Sequence, residues 1–272
     1  MQQNSVEQLA KHLQHFAGQV TQTFGVAQSQ LNMLRRRIAA VEAREKLAAA
    51  GRKPAFAVEF RSQFGEDATI WELLGGQLDG FYIECGAFDG YNSAVTYCLE
   101  AIGWRGLLVE AMPKCCEECR QRRPGSRVVN AALSKRGSSG TANFTVTDDG
   151  YGGMLSFLDK NSHHAQTVRQ QAIRTREVTV PLTTMNELLK DHSGPIDAAV
   201  IDVEGGELDL LDGFDLVKYK PRLLLLEDNQ RGADPRLGDY MKTQPYIGVG
   251  WVEMSRIYIH KDEEAVIERA RL

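Results

Sequence analysis

Long hydrophobic runs are missing from this 272-residue chain. No stretch approaches the roughly 20 apolar residues of a membrane span, and the Gln-rich N-terminus has no charged-then-apolar leader pattern. The chain is therefore expected to be cytoplasmic. An excess of positive charge is missing too. The net charge of −4 gives no bulk attraction to nucleic acid or to an anionic bilayer, so neither is expected as a partner. Cysteine is scarce, and no second Cys or His pair follows Cys115, Cys116 and Cys119 at finger-like spacing. That cluster therefore reads as reduced thiols on a helix after Pro113 rather than as a zinc site. No internal repeat, low-complexity tract or G-x-x-x-x-G-K phosphate loop is present.

Proline is also absent between Ser5 and Ala50, where one long helix is expected. Its apolar positions are Leu9, Leu13, Phe16, Val20, Phe24, Ala27, Leu31, Leu34, Ile38, Val41 and Ala48. From Phe24 onward the steps alternate three and four, which is a heptad seam, and the two steps of four before it act as a skip. Such a seam either pairs with copies of itself or lies along its own domain. The repeat is nearer 3.5 than 3.6, which favours a coiled coil and a homo-oligomer through residues 5–50. Residues 1–52 are thus expected to form a helical segment, 55–262 the main domain and 263–272 a tail.

Beyond Pro54, strand and helix patterns alternate. Strands are expected at Phe81–Cys85, Leu107–Glu110, Arg127–Leu133, Ala142–Thr147 (exposed), Glu177–Leu182, Ile196–Val203 and Leu223–Leu226, with two more in Tyr246–Ile259. Helices are expected at Glu66–Leu74, from an Asn92 cap to Ile102, after Pro113 and at Thr184–Lys190. Tyr151–His164 reads as a loop. The alternation predicts an α/β fold with a doubly wound, mostly parallel, Rossmann-like sheet. Ligands of such sheets bind beyond the carboxyl ends of the strands, where strand order reverses.

Polar residues end five successive strands: Glu84, Glu110, Asn130, Asp202 with Glu204, and Glu227-Asp228-Asn229. The first is followed by Gly86-Ala87-Phe88-Asp89-Gly90, and Glu110 lies about one βαβ unit further on, where an acid accepts hydrogen bonds from both ribose hydroxyls. A dinucleotide site wants G-x-G-x-x-G. The third glycine is missing here, and Glu84 and Asp89 would repel a pyrophosphate. They suit a ligand with an ammonium and a sulfonium, which is S-adenosylmethionine. Asp202 with Asp228-Asn229 offers three hard oxygen donors suited to Mg2+, similar to the metal site of catechol-type O-methyltransferases. If Mg2+ is required, activity is lost in EDTA and restored by the cation.

Several segments resemble the FkbM-type S-adenosylmethionine-dependent methyltransferases. They are Ser62-Gln63-Phe64-Gly65-Glu66-Asp67, the stretch from Glu84 to Gly90, Gly103-Trp104-Arg105-Gly106-Leu107-Leu108-Val109-Glu110, Gly152-Gly153, Ile201-Asp202-Val203-Glu204-Gly205-Gly206-Glu207 and the strand from Arg222 to Glu227. The likeness spans about residues 60–262. Ala111-Met112-Pro113 departs from it, and the N-terminal helix lies outside it. The resemblance implies a class I methyltransferase sheet with an antiparallel C-terminal strand. It also implies O-methylation of a sugar, glycan or secondary-metabolite hydroxyl. Glu110 would hold the ribose, Gly86 and Gly90 the methionine portion, Gln63 the N-terminal side, and Asn130 and Ala131 the adenine. Ala87, Ser93 and Ala111 complete the cofactor set with Glu84, Asp89 and Asp202. Asp202 or Glu204 would be the general base, with His163 and His164 as the alternative; the histidine pair otherwise reads as exposed loop side chains. The acceptor is expected between Asp148–His164 and Asn229–Gly238. Two alternatives remain: a non-catalytic oligomerising scaffold with a cofactor- or sugar-binding domain, and a nucleotide-sugar or NAD enzyme on a similar sheet.

Overall fold

A computed structural model describes residues 2–158, 160 and 162–271, with side chains from residue 15 onward. The side chains of Leu9 and Leu13 therefore lie outside the described set. In chain order the elements are α1 (Gln2–Ala49), α2 (Glu66–Leu73), β1 (Phe81–Cys85), α3 (Tyr97–Ala101), β2 (Arg105–Glu110), α4 (Pro113–Arg122), β3 (Arg127–Asn130), β4 (Ala132–Leu133) and β5 (Thr141–Asp148). They continue as α5 (His163–Gln170), β6 (Arg174–Thr183), α6 (Met185–Leu188), β7 (Ala198–Ile201), α7 (Glu207–Asp212), α8 (Leu216–Tyr219) and β8 (Leu223–Glu227). The last are α9 (Pro235–Lys242), β9 (Tyr246–Val252), β10 (Ser255–His260) and α10 (Glu264–Arg269).

The central strands are apolar on both faces, as strands covered by helices on both sides must be. Tyr82, Leu108, Val200 and Leu225 face one core, lined by α1 and α2. Ile83, Val109, Ile201 and Leu226 face the other, closed by Leu189, Leu211, Phe214 and Met241. The seven strands run β3-β2-β1-β7-β8-β10-β9. Neighbours from β3 to β8 are parallel, and β10 is antiparallel to β8. Strand order reverses between β1 and β7, so the switch point lies where those two strands end.

A second sheet, β4-β6-β5, stands beside the first. The stretch expected as one strand from Arg127 to Leu133 is divided at Ala131, whose amide bonds the Glu110 carbonyl. β3 stays with β2 while β4 joins β6. The strand expected to be exposed at Ala142–Thr147 instead buries Phe144, Thr145, Val146 and Thr147 in succession. Its apolar side packs on Ala111, Met112 and Cys115 and roofs the carboxyl edge of the first sheet.

The helix expected from Asn92 begins only at Tyr97. Asp89 accepts from the Tyr91 and Asn92 amides and from the Asn92 side chain, which fixes this stretch as a turn. Glu84 reaches up from β1 to accept from the Val95 amide and the Thr96 hydroxyl. Arg123, fully buried, lies 3.7 Å from Glu84 and 2.9 Å from Glu100. It also donates to Tyr82 Oη at 2.6 Å and to the Thr96 carbonyl and hydroxyl. The residues 263–272 expected as a tail include α10, which buries Val266 and carries Arg269 to the Leu73 carbonyl. Among the described residues no helix is long and apolar enough to cross a membrane. The five thiols are free and buried.

Candidate active site

Parallel register places the strand-end residues in one row. Glu110 is paired with Asn130, Cys85 with Val109 and with Ile201, and Ile201 with Leu226. One residue further along, the row reads Asn130, Glu110, Gly86, Asp202, Glu227. Its centre is glycine for a steric reason. Gly86 has φ +80°, and a Cβ there would collide with the Asp202 carbonyl oxygen.

On one side of that opening, Glu110 is 6% exposed. One carboxylate oxygen accepts from the Phe88 amide at 2.8 Å and the other from the Met112 amide at 2.7 Å. The first of these bonds holds Phe88 in the left-handed region (φ 48°), a strained state that needs such support. Burial pushes the Glu110 carboxyl up to about 7, although its amide partners pull the other way. Each oxygen keeps a lone-pair site for a further donor.

On the other side, Asp202, Glu204 and Glu227 have carboxylate oxygens all within 4.8 Å of one another. Asp202 faces the cavity and is open to solvent, yet crowded enough that loss of hydration, then the neighbouring Glu204, push its carboxyl up to about 8. Glu227 is raised well above the usual range, by burial first and Asp202 next. Carboxyls this close cannot all ionise, so Asp202 and Glu227 hold a proton between them.

The loop beneath is held by Glu207, which accepts from the Val203 and Gly205 amides at 3.1 Å each. Glu204 itself sits at φ 53°. Above it, His164 Nδ1 lies 2.9 Å from Glu204 and Nε2 lies 3.0 Å from the Leu155 carbonyl. Burial alone would lower the imidazole, but the contact with Glu204 outweighs it and raises His164. The histidine pair thus divides: His163 is exposed and His164 buried at the site.

A cavity runs along the row. Gly86, Glu110, Ala111, Ala131, Asp202 and Glu204 line it, with Phe88, Met112, Leu133, Phe144, Met154 and Leu158 as an apolar wall. A second cavity adjoins it at Gly206. Its walls are polar: His163, His164, Glu207, Asp209, Glu227, Asp228, Asn229, Gln230, Asp234 and Arg236.

The structure therefore brings together Gly86, Glu110, Ala111, Ala131, Asp202 and Glu204 of the residues singled out from sequence. Glu84, Ala87, Asp89, Gly90, Ser93 and Asn130 lie outside the cavity wall. Glu84 faces Arg123, Asp89 meets Arg122 at 2.5 Å, and Asn130 donates to the Glu110 and Ala111 carbonyls. Gln63 is exposed, while Ser62 and Asp67 beside it bond each other and start α2. Asp228 and Asn229 belong to the second cavity, and Asp228 accepts from the Gln230 and Gly232 amides. The acids that meet are Asp202, Glu204 and Glu227 instead. Their oxygens lie close together, with Glu204 already engaged by His164. Glu227 stands among the strand-end acids read from sequence but outside the expected cation set, by one step of the pleat: register puts it, and not Asp228, beside Asp202. The apolar wall escaped it because those residues are scattered over five segments.

The strand order, the antiparallel β10 and the acid-flanked switch point are those of the class I S-adenosylmethionine-dependent methyltransferases. The model of the Methyltransferase FkbM domain matches residues 84–244, and the chain belongs to that family. No curated protein sequence matches the chain. Among solved structures, a human methyltransferase 10 domain containing protein is 14% identical over 84% of this chain and 94% of its own, with a TM-score of 0.42. A TehB-like SAM-dependent methyltransferase from Corynebacterium glutamicum is 11% identical over 81% and 95%, with a TM-score of 0.41. The N-terminal domain of human METTL16 in complex with SAH is 12% identical over 83% and 80%, with a TM-score of 0.37. The family assignment rests on the sequence match and not on these likenesses.

Proposed function

We propose that the protein transfers a methyl group from S-adenosylmethionine to a hydroxyl of a sugar, glycan or secondary metabolite held in the second cavity. The observation that carries this reading is the row itself. Glu110 and the open Gly86 position face the first cavity, and Asp202 with Glu227 stands where that cavity meets the second.

Glu110 would accept from the ribose hydroxyls on its free lone pairs, and the wall from Phe88 to Phe144 would enclose the adenine. The acids around Asp202 favour a cationic ligand and disfavour a phosphate. S-Adenosylmethionine supplies an electrophilic methyl carbon. The acceptor oxygen would take that carbon as the sulfur leaves with the electron pair of the broken bond, and the Asp202–Glu227 pair would receive the hydroxyl proton. The crowded like charges raise the proton affinity of the pair, so its ionised carboxylate would be a competent acceptor for that proton. His164 would orient Glu204 and close the site from the side of α5. The polar lining of the second cavity suits a polyhydroxylated acceptor.

Titration calorimetry with S-adenosylhomocysteine, with NAD and nucleotide sugars run beside it, tests the cofactor. Binding of NAD without S-adenosylhomocysteine would sink the reading. Transfer of a labelled methyl group to a panel of hydroxyl acceptors tests the reaction. Asp202→Asn is expected to keep S-adenosylhomocysteine binding and lose roughly 100-fold or more in kcat, the usual range for a general base. Unchanged kcat would remove Asp202 from that role.

The pH dependence has a definite sign. Loss of hydration raises both carboxyls above the usual range, Asp202 with its acidic neighbours to about 8 and Glu110 to about 7. A sulfonium and two hydroxyl donors favour the ionised acids, so binding releases protons. Affinity for S-adenosylmethionine is therefore expected to weaken as pH falls from about 8 to about 6. S-Adenosylhomocysteine lacks the sulfonium and should weaken less. Calorimetry at several pH values reads both trends, and affinity rising toward low pH would contradict the assignment.

A further inference from the structure

α1 presents two different faces. Asn32, Ala39, Ala40, Ala43 and Leu47 are buried against the chain's own domain. Arg35 bonds Glu72 at 2.6 Å, Arg36 donates to the Ser62 carbonyl, and Trp71 Nε1 donates to Glu42. The heptad seam lies on the opposite face. With Phe24, Leu31 and Ile38 at a and Ala27, Leu34 and Val41 at d, the residues buried on the domain fall at b, c and f. The seam itself is left in solvent: Phe24 is 71% exposed, Leu31 57%, Leu34 49%, Ile38 57% and Val41 47%.

The helix also runs past the domain. Residues 15–27 are exposed, and a Cβ added at Gly18 or Gly25 would meet nothing within 4 Å. A solitary helix of that length with two internal glycines is unstable in water. Phe16, Val20 and Phe24 continue the apolar stripe through this projecting part at 64%, 51% and 71% exposure.

We propose that the exposed a/d seam of α1 is the surface on which a second copy of this chain docks, forming a parallel, in-register, two-stranded coiled coil. Two observations select this arrangement. In a parallel pair, position g of one helix meets e of the next heptad on the other. Here g is Arg37 and that e is Glu42, so opposite charges meet twice per dimer. An antiparallel pair sets the g rows against each other and brings Arg37 and Arg44 of one copy toward those of the other. On the e flank Arg35 is held by Glu72, whereas Glu42 accepts from the Trp71 indole and stays exposed. What remains free is a seam only two positions wide, which suits two strands rather than three. The two methyltransferase domains would then be carried outside a shared stalk.

Sedimentation velocity on the full chain tests this. A mass of twice 30.3 kDa is expected at micromolar concentration. Ile38→Lys, on an exposed side chain, should give a folded monomer that binds S-adenosylhomocysteine as the unaltered chain does. Leu31→Cys should give a disulfide-linked dimer on mild oxidation, since equal a positions face each other only in a parallel, in-register pair. The native thiols are buried and do not compete. Arg37→Glu should weaken the dimer, and adding Glu42→Arg should restore it. A monomeric or larger unaltered chain, an Ile38→Lys dimer, or failure of Leu31→Cys to cross-link would each overturn the proposal.

Discussion

Replacing Glu110 with Ala is expected to weaken S-adenosylhomocysteine binding by about 100-fold, as read by titration calorimetry. A hydrogen bond to a charged group contributes about 1.5–3 kcal/mol. Two such bonds to the ribose hydroxyls are at stake, and about 3 kcal/mol corresponds to about 100-fold. The same substitution strips the Phe88 and Met112 amides of their acceptor. Phe88 would then lose the contact that holds its left-handed backbone, and the cavity wall would loosen with it. Glu110→Gln keeps the shape but presents one oxygen where two are used, so about a tenfold loss is expected. Binding of the Ala variant within about threefold of the unaltered chain would show that the ribose lies elsewhere.

Arg123→Ala is expected to cost about 3–5 kcal/mol of stability, the usual result of removing one partner from a buried ion pair. Arg123 is buried against Glu84 and Glu100, both also buried, and removing it leaves two acids, Tyr82 Oη and the Thr96 carbonyl short of a donor. For a chain of this size the melting temperature should fall by about 10 °C. The network faces away from the cofactor cavity, so the folded variant should bind S-adenosylhomocysteine normally in the cold. A melting temperature within about 2 °C of the unaltered chain would contradict the account. Glu84 takes on a different meaning here. At the level of sequence it is an acid before a glycine loop and points to a cationic ligand. In the fold it tethers that loop to α3.

Much of the architecture was legible because it depends on local pattern. Apolar runs ended by an acid or a glycine mark β1 and β8 to within a residue, while the expected strand at Leu107–Glu110 starts two residues late on β2 and that at Ile196–Val203 overruns β7 by two residues at each end. The carboxyl edge was legible for the same reason, since each acid announces where its strand stops. The register between strands was not legible. Asp202 finds Glu227 and not Asp228 because Ile201 pairs with Leu226, and a shift of one residue turns a side chain to the other face of the sheet. The division of Arg127–Leu133 between two sheets, and the burial of four successive residues in β5, follow from where the second sheet docks.

The N-terminal helix makes the same distinction within one element. Its length and heptad seam are written in the spacing of Phe24, Leu31, Leu34, Ile38 and Val41. That its other face lies on the domain through small residues, Ala39, Ala40 and Ala43, is decided by contact with α2 and carries no periodic signal of its own. His164 is the sharpest case. A histidine pair in a polar segment reads as solvated, yet α5 lays one ring against Glu204 and leaves the other in water. The sequence by itself determined the class of fold, the order of its elements and the acids at its carboxyl edge, because these follow from periodicity and strand ends. Only the tertiary structure decided which acids meet, which are spent on the scaffold and where the two cavities join, because those depend on register and on docking between segments far apart in the chain.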